Sequence, residues 1–236
     1  MKQKPNKEQT KLSGDGVYQI LKKRLSALKY RPGQSLQELE IPTELNASRT
    51  PVRYAFSKLE SEGLVEIIPR KGAFVKYLSV KDAIEMYQVT GVLEGLAARL
   101  ATELVDLKDL EELENIHLNA LKKNSSENIQ EFIEHNTRFH RFVVKNSGNH
   151  RIEKMLDSIQ VLRAMSRYYL FNQNFQIDES RIKEPLGEHL AVIEAMKKRD
   201  PEELAEVRMR AHITNAAHAA LSFSPFKKEV SSFNRD

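Results

Sequence analysis

The stretch Ala47-Ser48-Arg49-Thr50-Pro51-Val52-Arg53, continuing through Tyr54-Ala55-Phe56-Ser57-Lys58-Leu59-Glu60-Ser61-Glu62-Gly63, decides how the front of this chain folds. Ser48 or Thr50 can cap a helix N-terminus, Pro51 is tolerated only in a first turn, and Gly63 provides the stop. Val52, Phe56 and Leu59 share one face, as a short helix packed on a small core requires. Arg49 and Arg53 fall on the other side at the helix tip, flanked by Ser48 and Thr50. Two forked guanidiniums and two small hydroxyls in that position suit guanine edges and phosphates in a DNA major groove. Exposed arginines can also do no more than solvate a helix, so the reading depends on the sequence around them.

Upstream, Val17, Ile20, Leu21, Leu25 and Leu28 recur at helical spacing with Lys22, Lys23 and Arg24 opposite, and Tyr30-Arg31-Pro32-Gly33 ends that helix in a turn. Residues 36–45 read as a second short helix whose start Pro42 delays or kinks. Downstream, Val65-Glu66-Ile67-Ile68-Pro69 and Ala73-Phe74-Val75-Lys76-Tyr77 flank Arg70-Lys71-Gly72, a two-stranded hairpin with a basic tip. Three helices followed by a basic hairpin make a winged helix-turn-helix. The charge distribution agrees. Residues 1–77 hold 15 Lys and Arg against 8 Asp and Glu, whereas the remainder holds 22 against 25, within a net charge of +4. A basic front on a mildly acidic body is the asymmetry of a nucleic-acid-binding domain joined to something else.

From Ser79, the expected N-cap of the next helix, the chain reads as helix to about residue 222: segments at 83–101, 107–121, 127–145, 151–171, 179–199 and 201–221, the last opened by Asp200 and Pro201. The expected fold class is mainly α, an N-terminal winged helix-turn-helix plus a C-terminal antiparallel bundle of about six helices. The expected division is a disordered basic tail over 1–11, the DNA-binding domain over 12–78, the helical domain over 79–223, and a polar tail over 224–236. There is no cysteine, which excludes disulfides, thiolate metal sites and a thiol nucleophile. No apolar run approaches the roughly 18 residues of a membrane span, and residues 1–11 lack the apolar segment of a signal peptide. A cytoplasmic protein without membrane partners is expected.

Three histidines of the helical part fall on apolar faces. His140 lies with Phe132, Asn136, Phe139 and Val143; His189 within the stripe Leu186, Leu190, Ile193 and Met196; His212 with Leu204, Ala211 and Ala219. Burying an unpaired imidazole costs on the order of 1–3 kcal/mol. Each histidine could find its own hydrogen bond inside the bundle, or all three could share one partner. A divalent ion held by three imidazoles and the Asn136 carbonyl oxygen would satisfy the set and leave positions open for a ligand. Arg163 and Arg167, four residues apart, could clamp a carboxylate or merely be solvated. Arg208 and Asn215, one turn to either side of His212, are further candidate effector contacts. His117, His135, His150 and His218 fit no shared face and read as surface or local residues. Tyr168, Tyr169 and Phe171 read as core or dimer interface.

The run Gly33-Gln34-Ser35-Leu36-Gln37-Glu38, then Leu45, Ser48-Arg49-Thr50-Pro51-Val52-Arg53-Tyr54-Ala55, Leu59, Gly63-Leu64-Val65 and Arg70-Lys71-Gly72 closely resembles the winged-helix domain of GntR-family bacterial transcription regulators. The segments Asn136-Thr137-Arg138-Phe139-His140, Gly148-Asn149, His189-Leu190-Ala191-Val192-Ile193-Glu194-Ala195, Asp200, Met209 and His212 resemble the FCD effector domain of the FadR-type branch. The resemblance implies a homodimer on a short palindromic operator of double-stranded DNA. Ser48, Arg49, Thr50 and Arg53 would read the major groove, and Arg70, Lys71 and Gly72 would reach the minor groove. It also implies a divalent metal, zinc, nickel or manganese, on Asn136, His140, His189 and His212, with Asn136 where an aspartate is usual. Leu39 stands where an arginine contact is common, Pro42 where a small helix former is usual, and Thr90-Gly91 where a carboxylate-binding arginine is frequent. Six helices would place the chain near the VanR-like group, whose effectors are small organic acids.

The function expected is a transcription regulator, in the repressor sense, that is not an enzyme. A small carboxylate near the metal would modulate its operator affinity. Two alternatives stand beside it: an architectural DNA binder braced by a structural metal, and a three-histidine metalloenzyme. Against the enzyme, no HExxH motif and no evident general base accompany the histidines.

Overall fold

A computed structural model describes residues 12–36, 40–122, 129–171, 180–199 and 205–222, without the side chains of residues 40, 42, 129, 130, 167–171, 180 and 181. The expectations for the two tails, Leu39, Asp200, Pro201 and Leu204 lie outside the described residues. So do those for the side chains of Arg167, Tyr168, Tyr169 and Phe171. The chain divides between Leu78 and Ser79 into two compact units.

The first unit runs α1 (Gly14–Ser26), β1 (Ser35–Leu36), α2 (Glu40–Glu44), α3 (Arg49–Ser61), β2 (Val65–Ile68) and β3 (Gly72–Val75). Ser13 caps α1 by accepting from the Gly16 N–H, and Val17, Leu21 and Leu25 bury its apolar face. Val52, Ala55, Phe56 and Leu59 of α3 pack into the same core. The hairpin expected to have two strands is an antiparallel sheet of three in the order β1-β3-β2. Its registers pair Leu36 with Ala73 and Ile68 with Gly72. Leu36, read as the start of the second helix, is therefore a buried strand residue, and α2 is confined to Glu40–Glu44. Lys22, read as solvent-facing, is instead buried: its ammonium lies 2.7 Å from Glu62, which also accepts from the Tyr18 hydroxyl. That ion pair ties the middle of α1 to the end of α3.

The second unit comprises α4 (Val80–Leu104), α5 (Leu107–Lys122), α6 (Ile129–Asn146), α7 (His150–Ser158), α8 (Gln160–Phe171), α9 (Ser180–Lys198) and α10 (Ala205–Leu221). Ser79 opens α4 with a capping box in which Ser79 and Asp82 bond each other's backbone N–H. The segment expected as one helix over 151–171 is two. At the end of α7 the Ser158 hydroxyl donates to the Met155 carbonyl, and the Ile159 N–H turns back to Leu156. The described residues thus hold seven helical segments in this unit, and the count of six does not carry a place near the VanR-like group.

The core of the unit joins Ala97, Ala98 and Ala101 of α4 to Phe139 and Val143 of α6, Ile193 and Met196 of α9, and Met209 and Ile213 of α10. Small residues let α10 approach α4 closely; a Cβ at Gly95 would meet the Arg210 side chain at 2.8 Å. One expectation about a face is corrected by this packing: Ala211 is exposed, because Met209 and Ile213 hold the inward side of α10.

Candidate functional site

In the first unit the side chains picked out from the sequence are presented outward by a buried scaffold. Ser48, Arg49, Thr50 and Arg53 are exposed at the N-terminal end of α3. Ser48 is the N-cap by backbone conformation, but its hydroxyl makes no capping hydrogen bond. The opposite face of α3 is fixed by its apolar residues and by polar ties to α1. Lys58 bonds Asp15 at 2.9 Å and lies 4.2 Å above the Tyr18 ring. Glu60 accepts from the Ile67 N–H, fastening the helix to the wing. In the wing tip Arg70 and Lys71 are exposed. Arg70 has φ +66° and Gly72 φ +100°. A Cβ at Gly72 would meet nothing within 4 Å, so its conformation, not its surroundings, favours glycine.

In the second unit the structure brings together the three histidines taken from the apolar stripes. His140 of α6, His189 of α9 and His212 of α10 are buried, with ligand atoms within 4.8 Å of one another. His189 Nε2 lies 3.2 Å from His212 Nε2, which lies 3.4 Å from His140 Nε2. The Phe139 ring stacks on His189 at 3.9 Å and 16°. Asn136, the remaining candidate ligand, is half-buried one turn before His140.

Two carboxylates that the sequence reading missed hold the outer ring nitrogens. His140 Nδ1 donates to Glu94 Oε2 at 2.5 Å, and His212 Nδ1 donates to Glu188 Oε2 at 2.7 Å. Glu94 is fully buried on α4. Its other oxygen lies 2.7 Å from Arg163 Nη1, an ion pair that is off the line of a good hydrogen bond. Burial alone would raise the Glu94 carboxyl, but Arg163 and His140 overcome it and hold it at about 2. Burial pushes the His140 imidazole down to about 4 against the pull of Glu94. Burial, reinforced by His212 and His140, holds His189 well below the ordinary range.

An ionised carboxylate only accepts, so in their neutral forms His140 and His212 carry the proton on Nδ1 and turn bare Nε2 lone pairs toward each other. Lone pairs 3.4 Å apart repel unless a cation or a proton lies between them, and a carboxylate behind the imidazole is the usual support of a metal-bound histidine. The donor set therefore fits a divalent ion.

The remaining candidates are placed differently. Arg163 is engaged by Glu94 rather than solvated. Arg208 and Asn215 are exposed on α10, and Asn215 donates to Glu188 Oε1 at 2.5 Å, so it steadies the carboxylate that steadies His212. His117, read as an ordinary surface or local residue, is 1% exposed, and its Nε2 lies 3.3 Å from His189 Nδ1. Its signal was present: Leu110, Leu113, His117 and Ala120 form one helical stripe, as Thr90, Glu94, Ala97 and Ala101 do on α4. Glu188 carried no such signal. His150 and His218 are exposed, and His135 is half-buried beside Glu131.

Comparison with known proteins accords with both units. The family model described as "Bacterial regulatory proteins, gntR family" matches residues 14–75, and the model described as "FCD domain" matches residues 85–215. The chain is similar to the uncharacterized HTH-type transcriptional regulator YdhC of Bacillus subtilis (strain 168), 29% identical over 201 residues that cover 84% of this chain and 86% of that one. It is also similar to the HTH-type transcriptional repressor RspR of Escherichia coli (strain K12), 26% identical over 185 residues, 78% of each chain. Among solved structures, E. coli McbR/YncC shares the fold with a TM-score of 0.68 at 21% identity, over 89% of this chain and 95% of that one. No described helix is long and apolar enough to cross a membrane. The chain belongs to the GntR family of bacterial transcription regulators and carries an FCD domain behind its winged helix.

Proposed function

We propose that this regulator is a repressor acting as a homodimer on a palindromic operator, and that a small carboxylate held at a divalent ion in the helical unit sets its operator affinity. The observation that carries the effector half is the convergence of three buried imidazoles whose outer nitrogens are held by Glu94, Glu188 and His117. Asn136, His140, His189 and His212 would hold the ion, which when bound supplies a Lewis-acidic point for a carboxylate oxygen. All four donors are neutral, so the ion's charge is balanced only by carboxylates behind the ligands. One of these, Glu94, is already paired with Arg163, which leaves room for an anionic ligand. Arg163, Arg167, Arg208 and Asn215 are the proposed effector contacts. Arg163 would act while bound to Glu94, and Asn215 through Glu188. Binding favours whichever packing of the bundle holds the acid better, and that difference in affinity is all the effector can transmit to operator binding.

On the DNA side, Ser48, Arg49, Thr50 and Arg53 would contact bases and phosphates of the major groove, and Arg70, Lys71 and Gly72 the minor groove. The repressor sense is supported by the name of the similar RspR. The test pairs elemental analysis with operator binding. Untagged protein should carry about one equivalent of zinc, nickel or manganese per chain, and the His140→Ala, His189→Ala double variant none. On an operator selected from random DNA, small carboxylates should shift the affinity of metal-loaded protein only. No metal in either protein after loading overturns the effector half.

One observation favours a second reading. The triad is almost closed to solvent, with His189 at 0% and His212 at 3% exposure, as befits a metal that merely braces the bundle. Metal-loaded protein whose operator affinity no carboxylate shifts would establish that reading instead.

A further inference from the structure

We propose that His117 is the positioning residue that keeps this centre open to a cation, by holding His189 in the tautomer whose Nε2 lone pair faces His140 and His212. The inference rests on the metal-centre reading above. It begins at a backbone carbonyl. His117 Nδ1 lies 2.8 Å from the Leu113 carbonyl oxygen, one turn earlier on α5. A carbonyl only accepts, so that nitrogen carries the His117 proton and Nε2 presents a lone pair. The lone pair lies 3.3 Å from His189 Nδ1, which must therefore be the donor. A neutral imidazole, the form in which a histidine binds a metal, has a single ring proton. With its proton committed to His117, His189 turns a bare Nε2 inward.

The competing tautomer shows what this prevents. A proton on His189 Nε2 would point at His212 Nε2, 3.2 Å away, and make a good donor–acceptor pair. That bond would occupy two of the three inward nitrogens and close the centre from within. It would also leave His189 Nδ1 and His117 Nε2 as two facing lone pairs, and this cost is what His117 imposes on the closed form. The ring planes are held as well. His117 meets both Phe139 and His189 edge-on, at centroid distances of 5.4 and 5.3 Å, while Phe139 stacks on His189. His140 and His212 are oriented by carboxylates, His189 by a neutral ring. The arrangement thus fixes three ligands while placing only two negative charges behind them.

The test uses full-length protein and zinc alone as the probe, with affinity measured by competition against a chromophoric chelator. His117→Phe keeps a ring against Phe139 but removes the acceptor; His117→Gln restores an acceptor through its amide oxygen. Zinc affinity should fall 10–100-fold in His117→Phe, the usual consequence of losing such support, and recover most of the way in His117→Gln. His117→Leu serves as the acceptor-free variant should His117→Phe not fold, with circular dichroism as the check. In metal-free protein, nitrogen-15 NMR of the imidazoles should place the His189 proton on Nδ1 in wild type and His117→Gln, and move it toward Nε2 in His117→Phe. Equal zinc affinity in wild type and His117→Phe, or a His189 proton on Nε2 in metal-free wild type, overturns the inference. Wild-type protein that takes up no zinc overturns the metal-centre reading instead. The NMR measurement, which needs no metal, then still decides whether His117 sets the tautomer.

Discussion

The first unit carries its candidate chemistry exposed to water, and the second carries its own buried in its core. In the winged helix, Ser48, Arg49, Thr50, Arg53, Arg70 and Lys71 are exposed, and the core beneath them holds only their backbone in position. In the FCD domain, Glu94, His117, His140, His189 and His212 are buried, and each is held by another member of the set or by a carboxylate or carbonyl beside it. A surface that meets a polyanion can keep its charges in water until the partner arrives. A site inside a bundle cannot, because every polar group there must already be satisfied. Substitutions in the first region should therefore change binding and leave stability alone, whereas substitutions in the second should change both.

The largest effect is expected at Glu94. Replacing it by alanine leaves Arg163 without its partner and His140 Nδ1 without its acceptor, both largely buried. Breaking a buried pair in this way costs about 3–5 kcal/mol, to be read as a fall in urea unfolding free energy of the FCD transition. A loss under about 1 kcal/mol, the usual worth of a surface pair, would break the contrast between the regions.

Acidification of metal-stripped protein sharpens the same contrast. His140 titrates near 4 in the folded state, below its ordinary 6.5, and His189 and His117 are shifted the same way. The unfolded chain takes up these protons first, so stability falls as pH drops from 6.5 toward 4. Glu94, held near 2 against an ordinary 4.5, extends the fall through the window from 4.5 to 2. In the winged helix, by contrast, Lys58 lowers the Asp15 carboxyl beneath its ordinary 3.8, so that contribution is lost only at more acid pH. Fluorescence-monitored melts between pH 7 and 3 should show the FCD transition moving before that of the winged helix. Simultaneous movement would mean that the buried histidines do not govern acid stability.

The contrast also explains what the sequence disclosed. The winged helix is built from local signals: a cap, a proline in a first turn, a stop glycine and a basic hairpin tip, all within about thirty residues. Its errors came where a distant residue intervened. Leu36 pairs with Ala73 in a third strand, and Lys22 is drawn inward by Glu62, forty positions away. The FCD helices were legible from their periodicity, and so was the inward stripe that carries each of the three histidines. What periodicity cannot disclose is which residues of different helices meet. Glu94 and His117 interrupt apolar stripes and were visible as anomalies, but the partners that explain them lie 46 and 72 positions along the chain. Glu188 is legible only through His212, because nothing on its own helix marks it.

On the DNA side the expected effect is smaller and of a different kind. Arg49→Ala removes one exposed guanidinium from the tip of α3. A lost base contact is worth about 1–3 kcal/mol, roughly 10–100-fold in operator affinity, measured by fluorescence anisotropy at one fixed salt concentration. Unfolding free energy should stay within about 0.5 kcal/mol of wild type, as for an exposed position without special backbone demands. Metal content should not change. A variant that lost both DNA binding and metal would show that the two regions are not separable.

The smallest effect isolates the scaffold beneath that surface. Gly63, just past the end of α3, has φ +69°, and a Cβ there would meet nothing within 4 Å. Gly63→Ala therefore adds no clash, only the cost of holding an L-residue in the left-handed region, about 1 kcal/mol. The carbonyl groups at the end of α3 keep their partners, since the Gly63 and Leu64 N–H groups bond back to Glu60 and Leu59 whichever residue stands at 63. The winged-helix transition should move by that amount in a thermal melt while operator affinity, set at the far end of the same helix, stays put. A loss of operator affinity beyond about threefold, which is under 1 kcal/mol, would mean that the strain reaches Arg49 along the helix. The exposed surface would then depend on its scaffold as closely as the buried site depends on its own.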